Sequence, residues 1–204
     1  MKEELFCMID IEADGDIPGA SSMLSFAGVT LNKNKEVLGS FEANLQLLPN
    51  TKPTPKTMEF WSKNKEAYEK TRINPVDPKY AMEEFDKWLN TFDGNVFFVG
   101  YPAPYDHKWI DWYSYYFLGH SHFGHSKIID MKMLAWGLIK GRFGQCSKKN
   151  FPKRWKDKLP HTHVAIDDAI EQGAMFINIL REHLGLEKID GLKYIEGYQH
   201  INLS

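Results

Sequence analysis

Two cysteines in 204 residues are too few for a disulfide framework. Cys7 falls in an apolar run and Cys146 in a basic stretch, which points to free thiols in a reducing, cytoplasmic setting. Long hydrophobic runs are missing too: none approaches the roughly 20 residues that a membrane span requires, so no membrane partner is expected. The opening residues KEELFCMIDIE place two acids ahead of the apolar run and offer no small-residue cleavage site, which argues against a signal peptide. Neither sign of charge dominates. With 25 Lys and Arg against 27 Asp and Glu the formal net charge is -2, so bulk electrostatics does not explain binding to a polyanion, whereas a local basic groove remains open. Internal repeats and low-complexity segments are absent. The hydrophobic share of 43% and charged share of 25% are those of an ordinary globular protein, and the length fits one domain over residues 1–204.

What is present begins with Leu5 to Glu12, LFCMIDIE. Strand side chains alternate faces, so Asp10 and Glu12 point the same way as Phe6 and Met8, while Leu5, Cys7, Ile9 and Ile11 cover the other face. A strand apolar on both faces belongs in the middle of a covered sheet. Two carboxylates at its tip are costly there unless a cation joins them. Taken alone, the pair reads first as that of a strand leaving into a solvated loop, and acids elsewhere must decide.

Along the chain, Met23 to Leu31 and Val37 to Leu48 read as strands of an antiparallel hairpin joined through LNKNKE. TKPTPKTMEFWSKNKEAYEK gives short helical pieces after its prolines. Lys79 to Phe92 carries the apolar stripe of an amphipathic helix. NVFFVG, Asn95 to Gly100, reads as a second buried strand. A helix starting near Pro104 takes Asp106 into its first turn, where an acid suits the positive end of the helix dipole. SKIID then gives a last strand that runs directly into the helix MKMLAWGLI. The stretch from Gly141 to His161 is basic: Lys148, Lys149, Lys153, Arg154, Lys156 and Lys158 stand against Asp157 alone. A long amphipathic helix follows, carrying Ile166, Ile170, Ile177 and Leu184, and residues 187–204 have no clear assignment. The order predicts an α/β fold, a mixed central sheet with its first three strands antiparallel and helices on its faces.

Asp106 and Asp168 would complete a set of four carboxylates with Asp10 and Glu12, the hard oxygen donors suited to Mg²⁺ or Mn²⁺. Two such ions, about 3.5 to 4 Å apart, activate water and stabilise a leaving oxygen in an attack on phosphorus. His163 supplies a group able to take a proton at neutral pH. Five residues before Asp168, it falls on a different face of a regular helix and so belongs to the loop ahead of it. His161 reads as an exposed loop residue. HSHFGH, with His120, His122 and His125, has no Cys or acid at zinc spacing and reads as a polar loop.

The ordered set of DIE near the N-terminus, an apolar strand leading into YD at Asp106, and HVAIDDA resembles the DEDDh group of 3'-to-5' exonucleases, on a ribonuclease H-like fold. The resemblance covers nearly the whole chain. It implies metal ligation by Asp10, Glu12, Asp106 and Asp168, with two Mg²⁺ or Mn²⁺ ions, catalytic roles for Glu12 and for His163 as general base, and 5'-mononucleotides released from single-stranded 3' ends. SKIIDMKMLA makes Asp130 a supporting residue, and TMEFW is similar to the T-x-E-W-W stretch of single-strand exonucleases. The chain departs from the family at Ala13, Asp14 and Gly15, where many relatives carry two threonines and a glycine, and at YPAPYD. Met23, Phe60 and Trp61 are expected near the terminal bases, and Lys148, Lys149, Lys153 and Arg154 along the phosphates. RNA and DNA both remain possible substrates. A nuclease-like fold serving only nucleic-acid binding or protein interaction is the alternative, in which the aromatics of WIDWYSYYF could take part. The oligomeric state is open, a homodimer included.

Overall fold

The computed structural model describes residues 2–204. Its centre is the six-stranded mixed sheet ordered β5-β4-β1-β2-β3-β6. β1 (Glu4–Ala13), β2 (Met23–Leu31) and β3 (Glu36–Asn44) run antiparallel in sequence order. β4 (Asn95–Gly100) lies parallel to β1, β5 (Ile128–Asp130) parallel to β4, and β6 (Lys193–Asn202) parallel to β3. The unassigned tail is therefore the sixth strand, and its alternation is weak because it sits at the sheet edge with little to bury. The second hairpin strand ends at Asn44 rather than Leu48: beyond it the chain leaves the ladder, and Leu45 bridges Val76 alone.

The two faces of β1 go where its alternation sends them. Leu5, Cys7, Ile9 and Ile11 pack with Phe26 and Phe41 against α3 (Pro78–Leu89) and α4 (Ala103–Leu118), chiefly through Phe85, Trp88, Trp109 and Tyr113. Phe6 and Met8 pack with Ala27, Val29 and Leu31 against α5 (Met131–Ile139) and α6 (Ala165–His183). On the second face Gly173 lets α6 come down onto β1 and β2; a Cβ there would lie 2.9 Å from Leu31 Cδ1 and 3.4 Å from Met8 Cβ.

Local signals set the ends of the helices. α1 (Pro55–Lys63) starts at Thr54, which accepts the Thr57 amide, with a proline at its first position, and α2 (Lys65–Lys70) follows after Asn64. Asp77 caps α3 by accepting the Tyr80 amide at 3.0 Å. α4 stops at Gly119, whose φ of 76° is the left-handed C-terminal conformation. Of the WIDWYSYYF aromatics, Trp109 and Tyr113 pack the sheet, whereas Tyr115 and Tyr116 face outward and Trp112 stacks on Tyr116 at 4.6 Å. The HSHFGH loop folds against α3: Phe123 is buried, and His120 and His122 lie 3.4 and 3.7 Å from Asp86.

Candidate active site

Three elements deliver the acids to one place. β1 carries Asp10 and Glu12 at its far end, the first turn of α4 holds Asp106 just past the end of neighbouring β4, and the first turn of α6 holds Asp168. Carboxylate oxygens of Asp10, Glu12 and Asp168 all lie within 4.8 Å of one another. Asp106 and Asp168 are buried. Asp106 completes the group electrostatically, since its charge acts on Glu12 and that of Asp10 acts on it.

Crowding like charges into a desolvated cleft disfavours their ionised forms. Burial first, then the charge of Asp168, push Asp10 up to about 7, against an opposing hydrogen bond from Gln172. Glu12 and Asp106 are raised well above the usual carboxylate range by burial and then by Asp10. A divalent cation would remove that penalty, and an all-oxygen donor set is what Mg²⁺ or Mn²⁺ takes. The residues present therefore fit such an ion.

Some neighbours of this cluster went unread in the sequence. Gln172 Nε2 donates to Asp10 Oδ1 at 2.8 Å, and Glu171 pairs with Lys148 at 2.9 Å. Both follow Asp168 on α6 by three or four residues, a spacing that puts them on the same helix face and could have revealed them. Thr162 donates its amide to Asp168 Oδ1 at 2.9 Å and its hydroxyl to Asp167 at 2.7 Å, bracing the start of α6. Asp130 caps α5 and also accepts the Ala103 amide at 2.8 Å, tying α5 to the first turn of α4.

His163 sits ahead of α6, as its spacing predicts, with a left-handed φ of 58°. Burial and then neighbouring His161 lower its pKa, so its imidazole is neutral, and able to accept a proton, at neutral pH. The Phe60 ring meets it edge-on, centroids 5.2 Å apart. His161 is an exposed loop residue, as expected, yet it also touches the acids. Its Nδ1 lies 3.0 Å from Asp168 Oδ1 and 3.3 Å from Lys148 Nζ, and together with His163 and Asp168 it forms a second set of ligand atoms within 4.8 Å. The loop turns back onto α6, which sequence spacing alone does not show.

The expected base contacts divide. Phe60 is 39% exposed beside His163, but Met23 is fully buried and Trp61 nearly so. Met23 lies in β2 against the core, and the Trp61 indole N–H donates to Ala13 O at 3.0 Å, so neither ring nor thioether is free to meet a base. Asp14, at the departure from the family pattern, accepts the Ser22 amide at 2.7 Å and closes the β1–β2 loop. Lys148 reaches the acids through Glu171 and His161, and Lys149 and Lys153 are exposed. Arg154 instead pairs with Glu182 at 2.6 Å. That partner lies 14 residues beyond Asp168 on α6, about 21 Å along a helix axis, which removes Arg154 from the acid cleft.

An acidic cluster at the tip of a central strand of a mixed α/β sheet, beside the first turns of two helices, is an arrangement suited to a divalent metal. The chain belongs to the Exonuclease family, which residues 7–176 match. It is 29% identical over 182 residues to the 3'-5' DNA exonuclease Cap18 of Escherichia coli, covering 85% of this chain and 90% of that one. Its fold is that of the nuclease domain of 3'hExo, a DEDDh family member bound to rAMP: TM-score 0.63, 14% identity, 94% of this chain and 98% of that one. The E. coli ExoI–ssDNA complex is likewise similar, with TM-score 0.63 at 12% identity over 90% of this chain and 42% of that one. No described helix is long and apolar enough to cross a membrane.

Proposed function

We propose that the chain is a divalent-metal-dependent 3'-to-5' exonuclease that removes 5'-mononucleotides from single-stranded nucleic acid. The observation that carries this reading is the convergence of Asp10, Glu12 and Asp168 within 4.8 Å, with Asp106 coupled to them and His163 beside Asp168. Asp10, Glu12, Asp106 and Asp168 would hold two Mg²⁺ or Mn²⁺ ions, which when bound supply Lewis-acid stabilisation of charge on phosphate oxygens. His163 takes a proton from the attacking water on an imidazole nitrogen. Water oxygen bonds to phosphorus as the bond to the 3' oxygen breaks, freeing a 5'-mononucleotide, and the departing 3' oxygen takes a proton from solvent to become the 3'-hydroxyl of the shortened strand. Phe60 meets the His163 ring edge-on and would contact the terminal base, and Lys148 offsets negative charge on Asp10 and Glu171.

DNA is the substrate to assay first, since the E. coli relative is named for it. The test uses matched end-labelled DNA and RNA single strands with Mg²⁺ or Mn²⁺. Mononucleotide release that stops in EDTA and in Asp10→Asn is the expected result. Release that survives either would overturn the mechanism, and the ratio of the two rates assigns the sugar.

A further inference from the structure

The charge that the chain as a whole lacks is gathered in one segment. Residues 131–156 hold eight of the 25 Lys and Arg and none of the 27 Asp and Glu, so the other residues carry 17 cations against 27 acids, a formal -10. Lys148 and Arg154 have carboxylate partners, Glu171 and Glu182. Among the described residues, Lys132, Lys140 and Arg142 have none within ion-pair distance.

Those three cations accompany aromatic rings that the fold leaves uncovered. Trp136 and Phe143 are 38% and 43% exposed, with centroids 5.4 Å apart and planes at 75°, and Lys132 Nζ lies 4.4 Å from the Phe143 centroid. The arrangement is held in place: the Trp136 indole N–H donates to Gly141 O at 2.8 Å, turning the chain after α5 back toward the helix. Met131 and Ala135 serve the core from the other side of α5, so the core does not require the outward rings.

Cations interleaved with accessible rings suit a polyanion that carries flat bases, with phosphates meeting the charges and bases stacking on the rings. Position favours the same occupant. α5 starts at Asp130, bonded to the first turn of α4 three residues ahead of Asp106, and Trp136 lies about 9 Å further along the helix. Further along, the acid-free segment reaches His161 through Lys148. A strand whose 3' end lies among the acids is thus flanked by this segment. We infer that Lys132, Trp136, Lys140, Arg142 and Phe143 form a second grip on the single strand, upstream of the nucleotide being removed. The inference rests on the exonuclease reading, which it deepens by adding a length-dependent contact.

Binding of a fluorescent oligothymidylate long enough to reach α5, measured in EDTA by anisotropy over a range of salt, tests the grip. Replacing all three cations (Lys132→Gln, Lys140→Gln, Arg142→Gln) is expected to lower the slope of log affinity on log salt by about 2, at about 0.7 per phosphate contact. Trp136→Ala with Phe143→Ala is expected to weaken binding about tenfold, and Trp136→Phe, which keeps a ring, to retain most of it. A dinucleotide is too short to reach α5, so its kcat/KM with Mn²⁺ should be the same in all variants, which also reports an intact fold. An unchanged salt slope together with unchanged affinity would overturn the inference. So would variants that lose binding to phosphatidylserine vesicles yet hold the strand as before, because the surface would then be a membrane contact. If no substrate is hydrolysed by the wild-type chain but strand binding falls in the variants as described, the grip stands and the exonuclease reading fails.

Discussion

At the scale of single residues, the acid cluster is unfavourable by itself and useful for that reason. Asp10 in the folded chain titrates near 7, well above its ordinary 3.8, with burial as the first cause. A carboxyl raised on folding contributes its stability while protonated, below about 4, and that contribution is lost as pH rises through 7. In chelator, the protein should therefore lose stability from this group between about pH 4 and 7, and Asp10→Asn should be more stable than the wild type at about pH 8, by on the order of 1–3 kcal/mol. Thermal melts of both proteins in EDTA measure this. A less stable variant at that pH would show that Asp10 is not under strain. His163 makes a different prediction, because the proposed reaction gives it the proton of the attacking water. His163→Ala should lower kcat about 10²–10⁴-fold, while calorimetric titration with Mn²⁺ still shows binding, since the four carboxylates remain. Undiminished turnover would assign the base elsewhere.

At the scale of elements, the active site depends on how α6 is seated. Asp168 and Gln172 both project from this helix toward β1, and Gly173 faces Leu31 and Met8 of the sheet. A Cβ there would press on the end of Leu31 at 2.9 Å and touch Met8 at 3.4 Å, so a larger side chain must displace them or the helix. Gly173→Val should push the helix outward, costing about 1–3 kcal/mol in urea unfolding and lowering kcat along with stability, because Asp168 moves with the helix. Full activity in a destabilised variant would show that Asp168 tolerates a shift of α6. α1 is fixed more locally. Trp61 bonds Ala13 O at the end of β1, and the Thr54 amide donates to Asp14 O at 2.8 Å, so the helix that presents Phe60 is pinned to the strand that presents Glu12.

At the scale of the whole molecule, cation binding and folding are linked. Ions that bind only the folded chain stabilise it by about 2.7 kcal/mol at a concentration 100 times Kd, which for a chain of this size raises Tm by about 5–10 °C. Melting curves with and without Mn²⁺ should show that rise in the wild type and little of it in Asp10→Asn with Asp168→Asn. An equal rise in both would mean that the ion binds outside the cluster. The charge distribution belongs to the same scale: a net charge of -2 conceals an acid-rich body beside a cationic segment, which is what the proposed second grip draws on.

The sequence by itself determined most of the elements and the chemical character of the site. The alternation of LFCMIDIE placed β1 in the centre and its two acids on one face, and the five residues between His163 and Asp168 set the histidine ahead of α6. Both are short-range properties, fixed by strand and helix periods. Tertiary structure decided which side chains meet. Met23 and Trp61 turned inward because β2 and α1 bury them against the core, Arg154 went to the far end of α6, and the 187–204 tail became an edge strand whose pairing with β3 spans most of the chain. His161 and Gln172 joined the acids only because a loop and a helix face converge on β1, and such convergence depends on packing between distant segments, which no local period records.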